Sequence, residues 1–187
     1  GAGPLGMNRS ELEHVLGAAA NAVGEHAFVV IGSQAILGSF PDAPEELLRS
    51  MEVDLYPKEN PELAIEIDGT LGDGSRFHEA FGYYAHGVGP ETAKAPRGWE
   101  ERLIESEIPP RPGLKRAIAA YFLEPHDLVL AKCVAGRDRD WEFAKDAIAA
   151  GVVDAETLLS RVDLLPVSTE RIEGIRRHLE ALAARSS

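Results

Sequence analysis

Glu52 and Asp54 stand two residues apart in SMEVDLYP, and about 20 residues upstream Gly32 and Ser33 follow the apolar run AFVVI. In a strand, side chains two apart point to the same face. The two carboxylates therefore sit side by side, roughly 6–7 Å apart at Cα. Met51, Val53 and Leu55 alternate with them and face a core. Charge beside a buried strand is costly unless it is exposed or bound by an ion. Two converging carboxylates form a hard oxygen site suited to Mg²⁺, which takes one or two carboxylates together with substrate phosphates. A helix starting after Gly32 would present free backbone N–H groups and the positive end of its dipole, which attract phosphate. Gly32 lets the backbone approach a ligand closely, the Ser33 hydroxyl adds a donor, and Gln34 continues the same turn. Phosphate binding by one element and cation binding by the next suit phosphoryl or nucleotidyl transfer. Each half alone is weak. Gly-Ser closes many strands, and an E-x-D on an edge strand is often a solvated face. The ordered combination strand–GS–helix–strand–ExD is far rarer.

A second group lies in PHDLVLAKCVAGRDRDWEF. Lys132 and Arg139 are a heptad apart, so an unbroken helix puts them on one face. Asp140 lies about 80° round. The alternative is a surface ion-pair patch of Lys132 and Arg137 with Asp138 and Asp140. Tyr83, Tyr84 and Trp99 are candidates for stacking a base, or core anchors. His78 and His86 are candidate substrate contacts, or satisfied structural histidines. Arg97, Arg111, Lys115 and Arg116 could meet an RNA backbone, or form a solvated face. Trp141 is expected to pack between helices.

The elements that must position these groups follow from pattern. Ser10 with Glu13 forms a capping-box signature, and Leu12, Val15, Leu16, Ala19 and Val23 recur at helical spacing, predicting a helix over 10–24. AFVVI (27–31) is a buried strand, QAILGSF a helix, and PDAP (41–44) a loop. SMEVDLY (50–56) is a strand stopped by Pro57. NPELAIEIDGTLG is a helix opened by Asn-Pro and closed by Gly. FGYYAHGV (81–88), WEERLIES (99–106) and LKRAIAAYFL (114–123) are the third, fourth and fifth strands. From Pro125 onward the chain is helical. DLVLAKCVAGRDRDWEFAKDAIAAG gives one helix, or two bent at Gly136, and Asp154 and Ser168 cap two more. The class is α+β, a small mixed sheet followed by a helical half. Residues 7–123 are the expected core and 124–187 a helical part packed on it.

Composition narrows the function classes. A chain of 187 residues holds one ordinary domain with a sizeable core. No apolar run approaches the roughly 20 residues that span a bilayer. The opening GAGPLG (1–6) has the look of a cleaved tag remnant, with Met7 as natural start and no secretory signal. The single Cys133 excludes a disulfide framework and a cysteine zinc site, and the six histidines show no paired metal spacing. These features fit a reducing cytoplasm. A net charge of −12 argues against broad non-specific nucleic-acid binding, though not against a local basic patch.

The pattern GS, spacer, then [DE]-h-[DE] resembles the signature of the nucleotidyltransferase superfamily that includes DNA polymerase beta and the CCA-adding enzymes. IGSQAILG, SMEVDLYP, FHEAFGYYAHGV, GWEERL and DLVLAKCVAGRDRDWEF together resemble nucleotidyltransferases close to the AbiEii and MenT toxins, from about Phe28 to Phe143. The resemblance implies a polymerase-beta-like fold. It also implies transfer of a nucleoside monophosphate from an NTP to an acceptor hydroxyl, with Glu52 and Asp54 holding Mg²⁺. Gly32, Ser33, Gln34, Lys132, Arg137 and Arg139 are then the nucleotide-binding residues. Lys132 and Asp140 take the positions of a catalytic Lys and a catalytic Asp after Arg. Lys132 would neutralise the triphosphate, and Asp140 would activate the acceptor or complete the metal site. The implied acceptor is a tRNA 3′ end, and the implied setting a toxin with a cognate antitoxin. A small molecule or a protein as acceptor, or a catalytically weak binding module, are the alternatives. Two departures stand out. No third carboxylate appears on the strand after E-x-D, and Glu52 stands where many relatives have Asp.

Overall fold

The computed structural model describes residues 6–186. The tag-remnant reading falls, apart from Gly6, outside those residues. The first helix, α1 (Arg9–Val23), begins one residue earlier than its sequence signature. The cap is Asn8, whose side chain accepts the Glu11 N–H at 2.9 Å while Glu11 accepts the Asn8 N–H at 3.0 Å. Ser10 and Glu13 make the same pattern on paper, but Asn8 caps as well and stands where the chain leaves extended conformation.

Strand β1 (Ala27–Ile31) forms where the apolar run predicts it. The helix expected after Gly32 is instead one 3-10 turn, Ser33–Ala35, followed by the four-residue α2 (Ile36–Ser39). Strand β2 (Glu52–Pro57) runs antiparallel to β1, with Ile31 opposite Asp54. Next come a 3-10 turn (Pro61–Leu63) and helix α3 (Ala64–Leu71). Helix α4 (Arg76–Phe81) takes the residues before the third strand. Ser75 caps it by accepting the His78 N–H, and Gly82 ends it in the left-handed region, so β3 shortens to Tyr84–Gly87. The fourth strand is also displaced. Trp99–Arg102 form a 3-10 turn and β4 is Ile104–Ile108. The fifth, β5 (Ile118–Phe122), holds despite its alanines because it is the inner partner of both β1 and β4.

The five strands form one mixed sheet in the order β3-β2-β1-β5-β4. Register puts Val53, Leu55, Val30 and Phe122 on one face, all fully buried. Helix α3 covers that face at β3. Gly87 lies opposite Leu55, and a Cβ there would come 1.9 Å from the Ala64 carbonyl oxygen, so only glycine permits the approach. Glu52 and Asp54 point to the other face.

The C-terminal part divides at Gly136, left-handed with φ 64°, into α5 (Pro125–Ala135) and α6 (Asp138–Ala149). The heptad relation between Lys132 and Arg139 in an unbroken helix is therefore lost. Helices α7 (Ala155–Arg161) and α8 (Thr169–Ser186) follow, capped by Asp154 and Ser168 as their sequences predict. Trp141 stacks on His178 of α8 with ring centres 3.6 Å apart, packing between helices as expected. Among the described residues, no helix is long and apolar enough to cross a membrane.

Candidate active site

The site is built where β1 ends beside β2. Gly32 has φ +79°, and a Cβ on it would fall 2.6 Å from an Asp54 carboxylate oxygen and 3.2 Å from the Asp54 Cβ. The Gly-Ser turn and the second acid are thus in direct contact, which only a glycine allows. The turn is too short to carry a helix dipole. What remains for a phosphate are the first N–H groups of the turn, which have no partner within it, and the Ser33 hydroxyl.

Glu52 and Asp54 converge as a strand requires, and β3 brings two more groups to them. Tyr84 lies opposite Glu52, and His86 opposite Asp54. His86 Nδ1 is 3.3 Å from Asp54 Oδ1 and 3.6 Å from Glu52 Oε1. The Tyr84 hydroxyl and the Glu52 carboxylate influence one another. Burial, followed by the Glu52 charge, pushes the phenol up to about 12. Burial and then the adjoining Glu52 drive the Asp54 carboxyl up to about 8. Burial also acts to raise Glu52, but its hydrogen bonds with Asp54 and Tyr84 and the nearby His86 outweigh that and hold it low.

Glu52, Asp54 and His86 each offer one ligand atom, all within 4.8 Å of one another. Two oxygens and one imidazole nitrogen brought together from adjoining strands fit a divalent cation. Sequence reasoning left His86 and Tyr84 among the weak candidates. Only the β2–β3 register, which a sequence does not carry, puts them at the acids.

Lys132 of α5 reaches the same region. Its ammonium interacts with both Asp54 and Asp140 and lies 3.7 Å from Asp140 Oδ1. Burial lowers its proton affinity, and the two acids oppose that. Asp140 is fully buried and does not join the metal-ligand group. Its Oδ2 accepts the Arg137 backbone N–H at 3.1 Å and Nε at 2.7 Å, and its Oδ1 accepts Nη2 at 3.2 Å. Burial works to raise this carboxyl, but Arg137 and Lys132 prevail and keep it ionised. The Arg137 side chain is half exposed at the mouth, and Arg139 is exposed on the first turn of α6.

Gln34 is placed differently from its sequence reading. Its side chain is fully buried, and Nε2 donates to the Ser50 carbonyl at 2.6 Å. It ties the turn to the residues entering β2 instead of facing a nucleotide. Tyr83 is buried against His14, and Trp99 is largely buried with only its margin on the cleft described below. Arg111 pairs with Glu13, while Arg97, Lys115 and Arg116 are exposed.

Tyr56 continues the carboxylate face of β2 two residues beyond Asp54. Its hydroxyl is pushed up to about 12 by burial, then by Glu100 and Glu91. Those two acids line an open cleft of about 570 Å³ with Lys94, Arg97, Trp99 and Pro166.

Residues 10–178 match the model of a family described as a nucleotidyltransferase of unknown function (DUF6036). No curated protein and no solved structure matches the chain. The match covers most of the sequence, and the chain belongs to this nucleotidyltransferase family. The five-stranded mixed sheet with its helices is consistent with a nucleotidyltransferase fold. Membership implies a nucleotide substrate and use of a divalent cation.

Proposed function

From that family membership, we propose that the protein transfers a nucleoside monophosphate from an NTP to an acceptor hydroxyl at Glu52 and Asp54. The observation that carries the reading is the contact of the phosphate-type turn at Gly32 with the Asp54 carboxylate. It brings the triphosphate and the metal-binding acids to one point, as this chemistry needs.

In this reading Gly32 and Ser33 seat the triphosphate by backbone N–H groups and the Ser33 hydroxyl. Lys132 is the buried positive charge on the phosphates, and Arg137 and Arg139 meet phosphate or acceptor at the mouth. Asp140 keeps Lys132 and Arg137 in place; it is a positioning residue in this account. Glu52 and Asp54 hold a divalent cation, and the two carboxylates by themselves suit Mg²⁺. Bound there, a divalent cation supplies neutralisation of the phosphate charge. The acceptor oxygen forms a bond to the α-phosphorus, the bond to the β-phosphate oxygen breaks, and pyrophosphate leaves. The hydroxyl proton passes to a carboxylate oxygen of Asp54.

The proposed acceptor is a tRNA 3′ end, and the proposed setting a toxin held by an antitoxin. The resemblance to AbiEii- and MenT-like toxins supports both. The net charge of −12 favours entry of an acceptor end over a broad nucleic-acid footprint. Incubation of the protein with α-labelled NTPs and total RNA tests this. Label on tRNA is expected. Label on protein or a small molecule would move the acceptor class, and no label with any acceptor would leave a binding module.

A further inference from the structure

We propose that His86 is a direct metal ligand and gives the site a preference for Mn²⁺ over Mg²⁺. The inference rests on the nucleotidyl-transfer reading for its purpose, but it stands on geometry of its own. The Nδ1 atom of His86 lies 3.3 Å from Asp54 Oδ1 and 3.6 Å from Glu52 Oε1. Neighbouring ligand atoms on one octahedral cation, at about 2.1 Å from the centre, lie about 3 Å apart. Both His86 separations stand close to that value, and all three ligand atoms lie within 4.8 Å of one another. An imidazole held only as the partner of one acid would not need to lie near both.

The backbone fixes the arrangement. Asp54 and His86 are register partners on paired parallel strands, so their side chains leave the sheet on one face. The position where a further carboxylate would complete a hard oxygen site on the adjoining strand is taken by a nitrogen donor. Mg²⁺ is a hard cation that keeps oxygen ligands and waters. Affinity for imidazole rises along the first-row divalent series, and carboxylates remain good ligands for Mn²⁺. One imidazole with two carboxylates therefore shifts the balance towards Mn²⁺ without excluding Mg²⁺, which can still support transfer through the acids. Half the His86 side chain is exposed, so the ring can be replaced without opening the core.

The test uses the full chain and Mn²⁺ as the probe, without nucleotide. Binding is followed by loss of the free-ion electron paramagnetic resonance signal, with Mg²⁺ as competitor. In wild type, the spin-echo envelope of bound Mn²⁺ is expected to carry modulation from an imidazole nitrogen. His86→Ala should remove that modulation and weaken Mn²⁺ by about 10-fold or more, with Mg²⁺ changed by no more than about 2-fold. His86→Asp should raise Mg²⁺ affinity relative to Mn²⁺. The proposal is overturned if bound Mn²⁺ in wild type shows no nitrogen modulation, or if His86→Ala weakens both ions equally. Failure of the transferase reading is recognised separately: nitrogen-ligated Mn²⁺ with no label transferred to any acceptor.

Discussion

Two clusters of ionised side chains lie at opposite extremes of compensation. Around Asp127, which is fully buried, every negative charge has a positive partner. Arg102 donates to both Asp127 oxygens, at 2.8 and 3.1 Å. Arg161 bridges Asp127 and Glu124, at 3.1 and 2.6 Å, and His126 joins Glu124 at 2.7 Å. Burial tends to raise the Glu124 carboxyl, but His126, the Asp127 N–H and Arg161 outweigh it and hold it at about 2. At Glu52 and Asp54 the same residue types are pressed together with each other, and the Asp54 carboxyl rises to about 8. Saturation marks a cluster that holds helices together. Repulsion left in place marks one that a ligand completes. Lys132 and Asp140 stand between, a compensated pair whose cation also senses Asp54.

The largest expected effect lies at the uncompensated cluster. Asp54→Ala should lower transfer by about 10³-fold or more, while thermal unfolding stays at or above the wild-type temperature because repulsion is relieved. A variant that melted early would place this cluster with the structural one. Asp127→Ala should do the reverse: it leaves Arg102 and Arg161 without their shared acid and costs about 3 kcal/mol of stability in denaturant titration. Turnover per folded molecule should be unchanged.

Lys132→Ala should cost about 10²-fold in kcat/KM, with little change in stability because Arg137 still satisfies Asp140. Acid sharpens the contrast next. The Glu124 carboxyl is held below its ordinary value of 4.5, so its contribution is present above that value and lost as pH falls from 4.5 through about 2. The stability gap between wild type and Glu124→Gln, on the order of 2 kcal/mol near neutral pH, should hold above about pH 4.5 and shrink as pH falls from there towards about 2. The smallest effect is at Tyr84→Phe. Loss of the hydroxyl that orients Glu52 should reduce metal-dependent transfer by about 10-fold and leave unfolding unchanged.

Much of this contrast was legible in residue order. Strand β1, the Gly32 turn, the alternation in β2 and the caps at Asp154 and Ser168 are local patterns, and they formed where periodicity and turn chemistry put them. The errors arose where two local signals competed. Asn8 out-competed Ser10 as a cap, and Ser75 with Gly82 framed a helix in what resembled the start of a strand. WEER is followed by the alternating IESEI, and only the latter pairs with β5. At the site, Glu52 and Asp54 were visible because two-residue spacing survives in any strand. His86 and Tyr84 were not, because their place depends on how β3 registers with β2. The burial of Gln34 depends likewise on a distant contact, the Ser50 carbonyl, and the place of Asp140 on the break at Gly136.

The central claim is that Glu52, Asp54 and the Gly32 turn carry nucleotidyl transfer. Parallel incubations with α-labelled and γ-labelled NTP, total RNA and a divalent cation test it most directly. The account predicts that the α-label becomes attached to an acceptor and the γ-label is released as pyrophosphate, with both events lost in Asp54→Ala. Attachment of the γ-label, or full α-label transfer by Asp54→Ala, would contradict it.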